Sequence, residues 1–151
     1  MPAPYSRLKP ERRPFAPVDT ANKLYKKTLA ICIKMPKRYT YLILKDMLHL
    51  ASEVRRFAKG ANSVFPTNEH EAQIRKDYWI HARANLQGLS GTIDDFLEIP
   101  AVLNYKDTGK TKGVTIHELE EIADLINEEM RLIANQIETE KKRYKNIGYE
   151  L

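Results

Sequence analysis

A chain of 151 residues fits one domain that can bury about two thirds of its unfolded surface, and a single cysteine, Cys32, excludes an internal disulfide framework. The longest apolar runs, Leu29 to Ile33 and Tyr41 to Leu44, fall far short of the roughly 20 residues of a membrane-spanning helix. The net charge of +5 is unevenly spread: residues 21–65 hold ten basic against two acidic side chains, whereas residues 66–98 and 115–151 are net acidic, a pattern that points to a polyanionic partner, nucleic acid before membrane surface.

Residues 1–18 contain five prolines and four basic residues and no apolar signal core. They are expected to form an extended or disordered basic arm, and the chain is expected in a reducing cytoplasm. Residues 19–151 carry four helical patterns, at about 20–35, 38–64, 68–98 and 115–146. The first opens at Asp19 or Thr20 as N-cap, places Leu24, Thr28, Ile31 and Met35 on one stripe, and closes at Pro36. The second spaces Leu44, Met47, Ala51, Val54, Ala58, Ala61 and Phe65 by three and four and ends at Pro66. Asn68 caps the third, with Glu71 in the position of a capping-box acid. Its stripe runs through Ile74, Tyr78, Ala82, Leu86, Leu89, Ile93 and Phe96.

A longer connection with Gly109 and Gly113 leads to Thr115-Ile-His-Glu118, a capping-box pattern opening the fourth helix, whose stripe is Ile116, Leu119, Ile122, Ile126, Ile133 and Ile137. No segment alternates as a strand does. The expected fold is all-α, an antiparallel up-down-up-down four-helix bundle, because short connections make neighbouring helices antiparallel.

The catalytic and metal signatures of such bundles are missing from the sequence. No histidine has a Glu three residues before it, as a di-metal carboxylate site requires; Asp46 with His49 is the near miss, and His117 with Glu121 is an ordinary i, i+4 pair. Cys32 lies in an apolar run, where a thiol is buried and inert, and there is no glycine-rich phosphate loop. The expectation is a protein that is not an enzyme and takes no cofactor or metal. What the sequence does offer is basic side chains with tyrosines nearby, the chemistry that neutralises phosphates and stacks on bases. In the expected topology one end of the bundle collects Lys23, Lys26 and Lys27, then Arg55, Arg56 and Lys59, then Arg75 and Lys76, then Lys141, Lys142, Arg143 and Lys145. These twelve are the candidate nucleic-acid-binding residues. The opposite end gathers Asp94, Asp95, Glu98, Glu118, Glu120, Glu121 and Asp124.

Three stretches are distinctive: Lys34-Met-Pro-Lys-Arg-Tyr39, Ala61-Asn-Ser-Val-Phe-Pro-Thr-Asn68 with Glu71, Arg75 and Lys76 following, and Arg143-Tyr-Lys145. With them, residues 21–146 resemble the accessory variability determinants of diversity-generating retroelements, kin to proteins encoded in ribosomal-RNA intervening sequences. That resemblance implies a non-enzymatic partner of a reverse transcriptase, assembled as a homo-pentamer, that binds RNA or DNA during mutagenic copying. The alternative from another class is a structural or interaction bundle that self-assembles and binds a protein partner without nucleic acid.

Overall fold

The computed structural model describes residues 15–98 and 116–147. Among these residues the fold is all-helical, with four α-helices and no strand: α1 (Ala16–Lys34), α2 (Lys45–Ser63), α3 (Glu69–Leu97) and α4 (Ile116–Arg143). Short turns join or follow them, 3-10 at Lys37–Tyr39 and Lys145–Ile147 and π-helical at Thr40–Leu44. The four helices enclose one apolar core, and none is long and apolar enough to cross a membrane.

α1 begins earlier than its N-cap candidates indicate. Pro17 sits in its first turn, where a fixed φ suits the helix and the missing N–H has no partner to lose. Phe15, just outside, packs its ring 6.0 Å from that of Trp79 on α3. Residues 15–18 therefore belong to the bundle, Asp19 serves the helix dipole from the first turn, and Thr20 is buried. The rest of the expected arm lies outside the described residues. At its other end α1 stops as expected: Met35 takes an extended conformation before Pro36.

The second helical pattern divides in two. Lys45 N–H bonds to Thr40 C=O, an i to i+5 turn that widens the backbone before α2 proper begins. The wide turn buries Ile43 and Leu44 and leaves Tyr41 and Leu42 86% and 75% exposed. Farther on, Met47, Ala51, Val54, Ala58 and Ala61 face the core as their spacing predicts, whereas Phe65 is exposed beyond the helix end.

Asn68 caps α3 as expected. Its side chain accepts from Glu71 N–H at 2.9 Å, and Glu71 Oε1 reaches back to Thr67 N–H at 3.0 Å. The stripe is turned by one residue at its start, however: Arg75 and Trp79 are buried, while Ile74 and Tyr78 are half-buried. The stripe of α4 runs as predicted through Leu119, Ile122, Ile126, Ile133 and Ile137, but two carboxylates, Glu129 and Glu140, share it fully buried. Ile116 is partly exposed, and the expected cap Thr115 lies outside the described residues.

Each seam has its own contacts. Between α1 and α2, Arg55 lies 3.8 Å from the Tyr25 ring centre, and Cys32 Sγ donates to Leu44 C=O. Between α2 and α3 the backbones come close at two glycines: a Cβ on Gly60 would stand 3.2 Å from the Tyr78 ring, and one on Gly88 3.2 Å from Leu50. Gln87 reaches Met130 Sδ across the α3–α4 seam, and Lys27 and Lys34 of α1 pair with Glu121 and Glu118 of α4.

Candidate nucleic-acid interface

The twelve basic candidates have three fates. Arg75 is an interior residue. It is 3% exposed, its guanidinium makes two hydrogen bonds to Glu140 at 2.8 and 2.9 Å, and its Nη1 donates to the carbonyls of Ala61 and Val64 at the end of α2. Trp79 Nε1 and Gln136 Nε2 complete the shell of Glu140. This network satisfies the last carbonyls of α2 while fastening them to α3 and α4, which is a structural task. Lys76 beside it is buried too, 6% exposed.

Three candidates are paired with carboxylates at the surface, Lys27 with Glu121, Arg56 with Glu53 and Lys141 with Glu138, and Arg143 lies 5.9 Å from the Tyr144 ring with no carboxylate partner found among the described residues. The contact of Lys27 with Glu121 also joins the expected basic and acidic ends, so Lys27 belongs to neither. For the remaining candidates, Lys23, Lys26, Arg55, Lys59, Lys142 and Lys145, no carboxylate partner is found among the described residues.

The geometry gathers some of these cations. Arg75 joins the end of α2 to the end of α4, so Lys59 shares an end with Lys142 and Lys145. On α1, Lys26 is turned about 100° from Tyr25, whereas Lys23 lies about 160° round the helix, on the side from which Lys27 and Lys34 reach α4. Arg55 is the best placed of the set, because the residue is half-buried and its guanidinium is held on an aromatic face with donors left over for a phosphate.

Beside this stack an open groove of about 450 Å³ lies between α1 and α2, lined by Tyr25, Cys32, Thr40, Leu44, Lys45, Leu48, His49 and Ser52. Four of these, Thr40, Lys45, Leu48 and Ser52, escaped the sequence reading, which weighed His49 only as a metal near miss, although Lys45, Leu48, Ser52 and Arg55 follow one another by three and four and mark a second stripe on α2. Burial pushes the Cys32 thiol up to about 11, which keeps it protonated and a poor nucleophile at neutral pH. Among the described residues no three His, Cys, Asp or Glu side chains converge as metal ligands. His117 and Glu121 form the exposed i, i+4 pair their spacing predicts, at 2.9 Å.

Compared with known proteins, the chain matches no family model, no curated protein and no solved structure.

Proposed function

We propose that this chain is a non-enzymatic, nucleic-acid-binding accessory protein of the diversity-generating retroelement kind, acting in the cytoplasm with a reverse transcriptase on template RNA or cDNA. Its scaffold is an up-down-up-down bundle. The seams support that arrangement, since Tyr25 meets Arg55, Gly60 meets Tyr78, Arg75 meets Glu140 and Lys27 meets Glu121, early residues of one helix against late residues of the next at three of the four seams. The observation that carries the functional reading is the Arg55–Tyr25 stack with Lys26 and Lys59 near it, cations for which no carboxylate partner is found among the described residues, because such a surface binds phosphates through counterion release. The retroelement and the reverse transcriptase rest on the sequence resemblance alone.

Binding of a labelled RNA hairpin at low salt tests the reading. Arg55→Glu is expected to weaken binding at least fivefold with the helical circular dichroism unchanged, whereas Arg83→Glu, an exposed position on α3, should cost less than twofold. Equal losses from both would contradict a localised site.

A second reading, self-assembly, has its own support. Ile33, Tyr41 and Leu42 are 74%, 86% and 75% exposed at the end of α1 and on the wide turn that follows, more apolar surface than a lone bundle needs to leave in water. An oligomeric mass is expected by light scattering at micromolar concentration, falling toward the monomer in a Tyr41→Ser, Leu42→Ser double variant. A monomeric wild-type protein would remove the self-assembly reading.

A further inference from the structure

We propose that the α1–α2 groove receives unpaired bases of a single-stranded RNA or DNA segment whose backbone follows the cationic stripe of α2; the proposal rests on the nucleic-acid reading above and gives it a preferred form of ligand. Three observations lead there. First, the groove volume of about 450 Å³ falls within the roughly 300–1,000 Å³ of sites that take small organic molecules. Its apolar surface comes from Leu44, Leu48 and Cys32, while Tyr25 offers a ring for stacking and Thr40, His49 and Ser52 offer polar atoms to a base edge.

Second, the groove opens onto charge of one sign. At 100° per residue, Lys45, His49, Ser52, Arg55 and Lys59 fall within about 120° of the α2 circumference, and from Lys45 to Lys59 this stripe runs about 21 Å. That length suits a few nucleotides, the footprint of small single-strand platforms. The acids of α2 lie off the stripe: Asp46 is turned about 100° from Lys45, and Glu53 is held by Arg56.

Third, the Arg55 guanidinium stands over Tyr25 at the edge of the groove with no carboxylate partner among the described residues, placing a phosphate-binding fork beside a base-stacking ring. A duplex keeps its base faces stacked inside, so it can use the cations but not the groove. A single strand can use both, and it should therefore bind more tightly than a duplex of the same length.

The test is fluorescence anisotropy at low salt with a labelled 20-nucleotide oligo(U), an oligo(dT) of the same length and a 20-base-pair duplex. The single strands are expected to bind at least tenfold more tightly than the duplex. Leu48→Arg separates the groove from plain electrostatics, because it adds a cation while filling the groove, and Leu48 is not part of the buried core. It should weaken single-strand binding at least fivefold and leave duplex binding unchanged or stronger. Tyr25→Leu, which keeps the apolar volume and removes the ring, should weaken single-strand binding severalfold and serves as the second variant if Leu48→Arg fails to fold. Equal affinity for strand and duplex, or full single-strand affinity in the folded variants, overturns the groove while leaving the polyanion reading in place. Absence of binding to all three probes overturns both.

Discussion

Glu140→Ala is expected to be the most damaging single substitution in the bundle, lowering the melting temperature by roughly 10–15 °C. The carboxylate is fully buried and accepts hydrogen bonds from Arg75, Trp79 and Gln136. Its removal leaves the Arg75 guanidinium as a buried, uncompensated charge, an effect of about 3–5 kcal/mol. For a domain of this size each kcal/mol shifts the midpoint by about 2–4 °C. Arg75→Met should also be severe, because it additionally removes the donor that caps the Ala61 and Val64 carbonyls. The double variant should be less unstable than the sum of the two singles, since the lone buried charge is gone, yet it should not recover the wild type because the carbonyls and Trp79 Nε1 remain unpaired. Thermal or denaturant unfolding of the four proteins checks this. A loss of only 1 kcal/mol in Glu140→Ala would show that the network is hydrated in solution.

The second large effect comes from Glu129, with the opposite sign. Both of its carboxyl oxygens are buried without a hydrogen-bond partner, and desolvation, aided by the neighbouring charge of Glu128, pushes its pKa from 4.5 to about 8. Between those values the folded chain holds a proton that the unfolded chain has released. The contribution of this group is therefore most favourable at and below about pH 4.5, declines as pH rises toward 8, and is constant above that. The slope is about 1.4 kcal/mol per pH unit, and the total is on the order of 3–5 kcal/mol. Glu129→Leu should raise stability at pH 7 by about 2–4 kcal/mol and more at pH 9, because it exchanges an unsatisfied buried acid for apolar packing. Glu129→Gln isolates the titration: measured by denaturant unfolding at pH 5, 7 and 9, its stability relative to wild type should increase with pH. A difference that is flat with pH would mean that the carboxyl finds a partner or water in solution.

How much of this was legible beforehand follows from the range of each interaction along the chain. Pro36, Pro66 and the Asn68–Glu71 cap act within a turn of themselves, and the structure ends or starts helices where they stand. The Leu119 to Ile137 stripe is equally local, but the reading took no notice of its gap between Ile126 and Ile133, where Glu129 lies in the core. One residue of helix is 100° of rotation, so periodicity identified the buried face of α3 but took Tyr78 where Trp79 is the core side chain. The wide turn at Thr40–Leu44 answers to a run of four apolar residues, only two of which the core takes in.

The partners of the charges were not legible, because they lie far apart in sequence. Arg75 meets Glu140 65 residues away and Lys27 meets Glu121 94 residues away. A count of basic residues cannot separate Arg75, which holds three helices together, from Arg55, which stacks on Tyr25 at the surface. Charge asymmetry raised the expectation of a polyanion site, and tertiary pairing determines which cations are left to form the one proposed.

Nucleic-acid binding by these cations, as proposed, is tested most directly by its salt dependence. With about four cations engaging the phosphates of a single strand, each contributing about 0.7 to the slope, log Kobs against log salt should fall with a slope near −3, and removal of Arg55 and Lys59 should bring it to about half that value. A measurable affinity whose slope is near zero, or no binding of RNA or DNA at low salt, would contradict it.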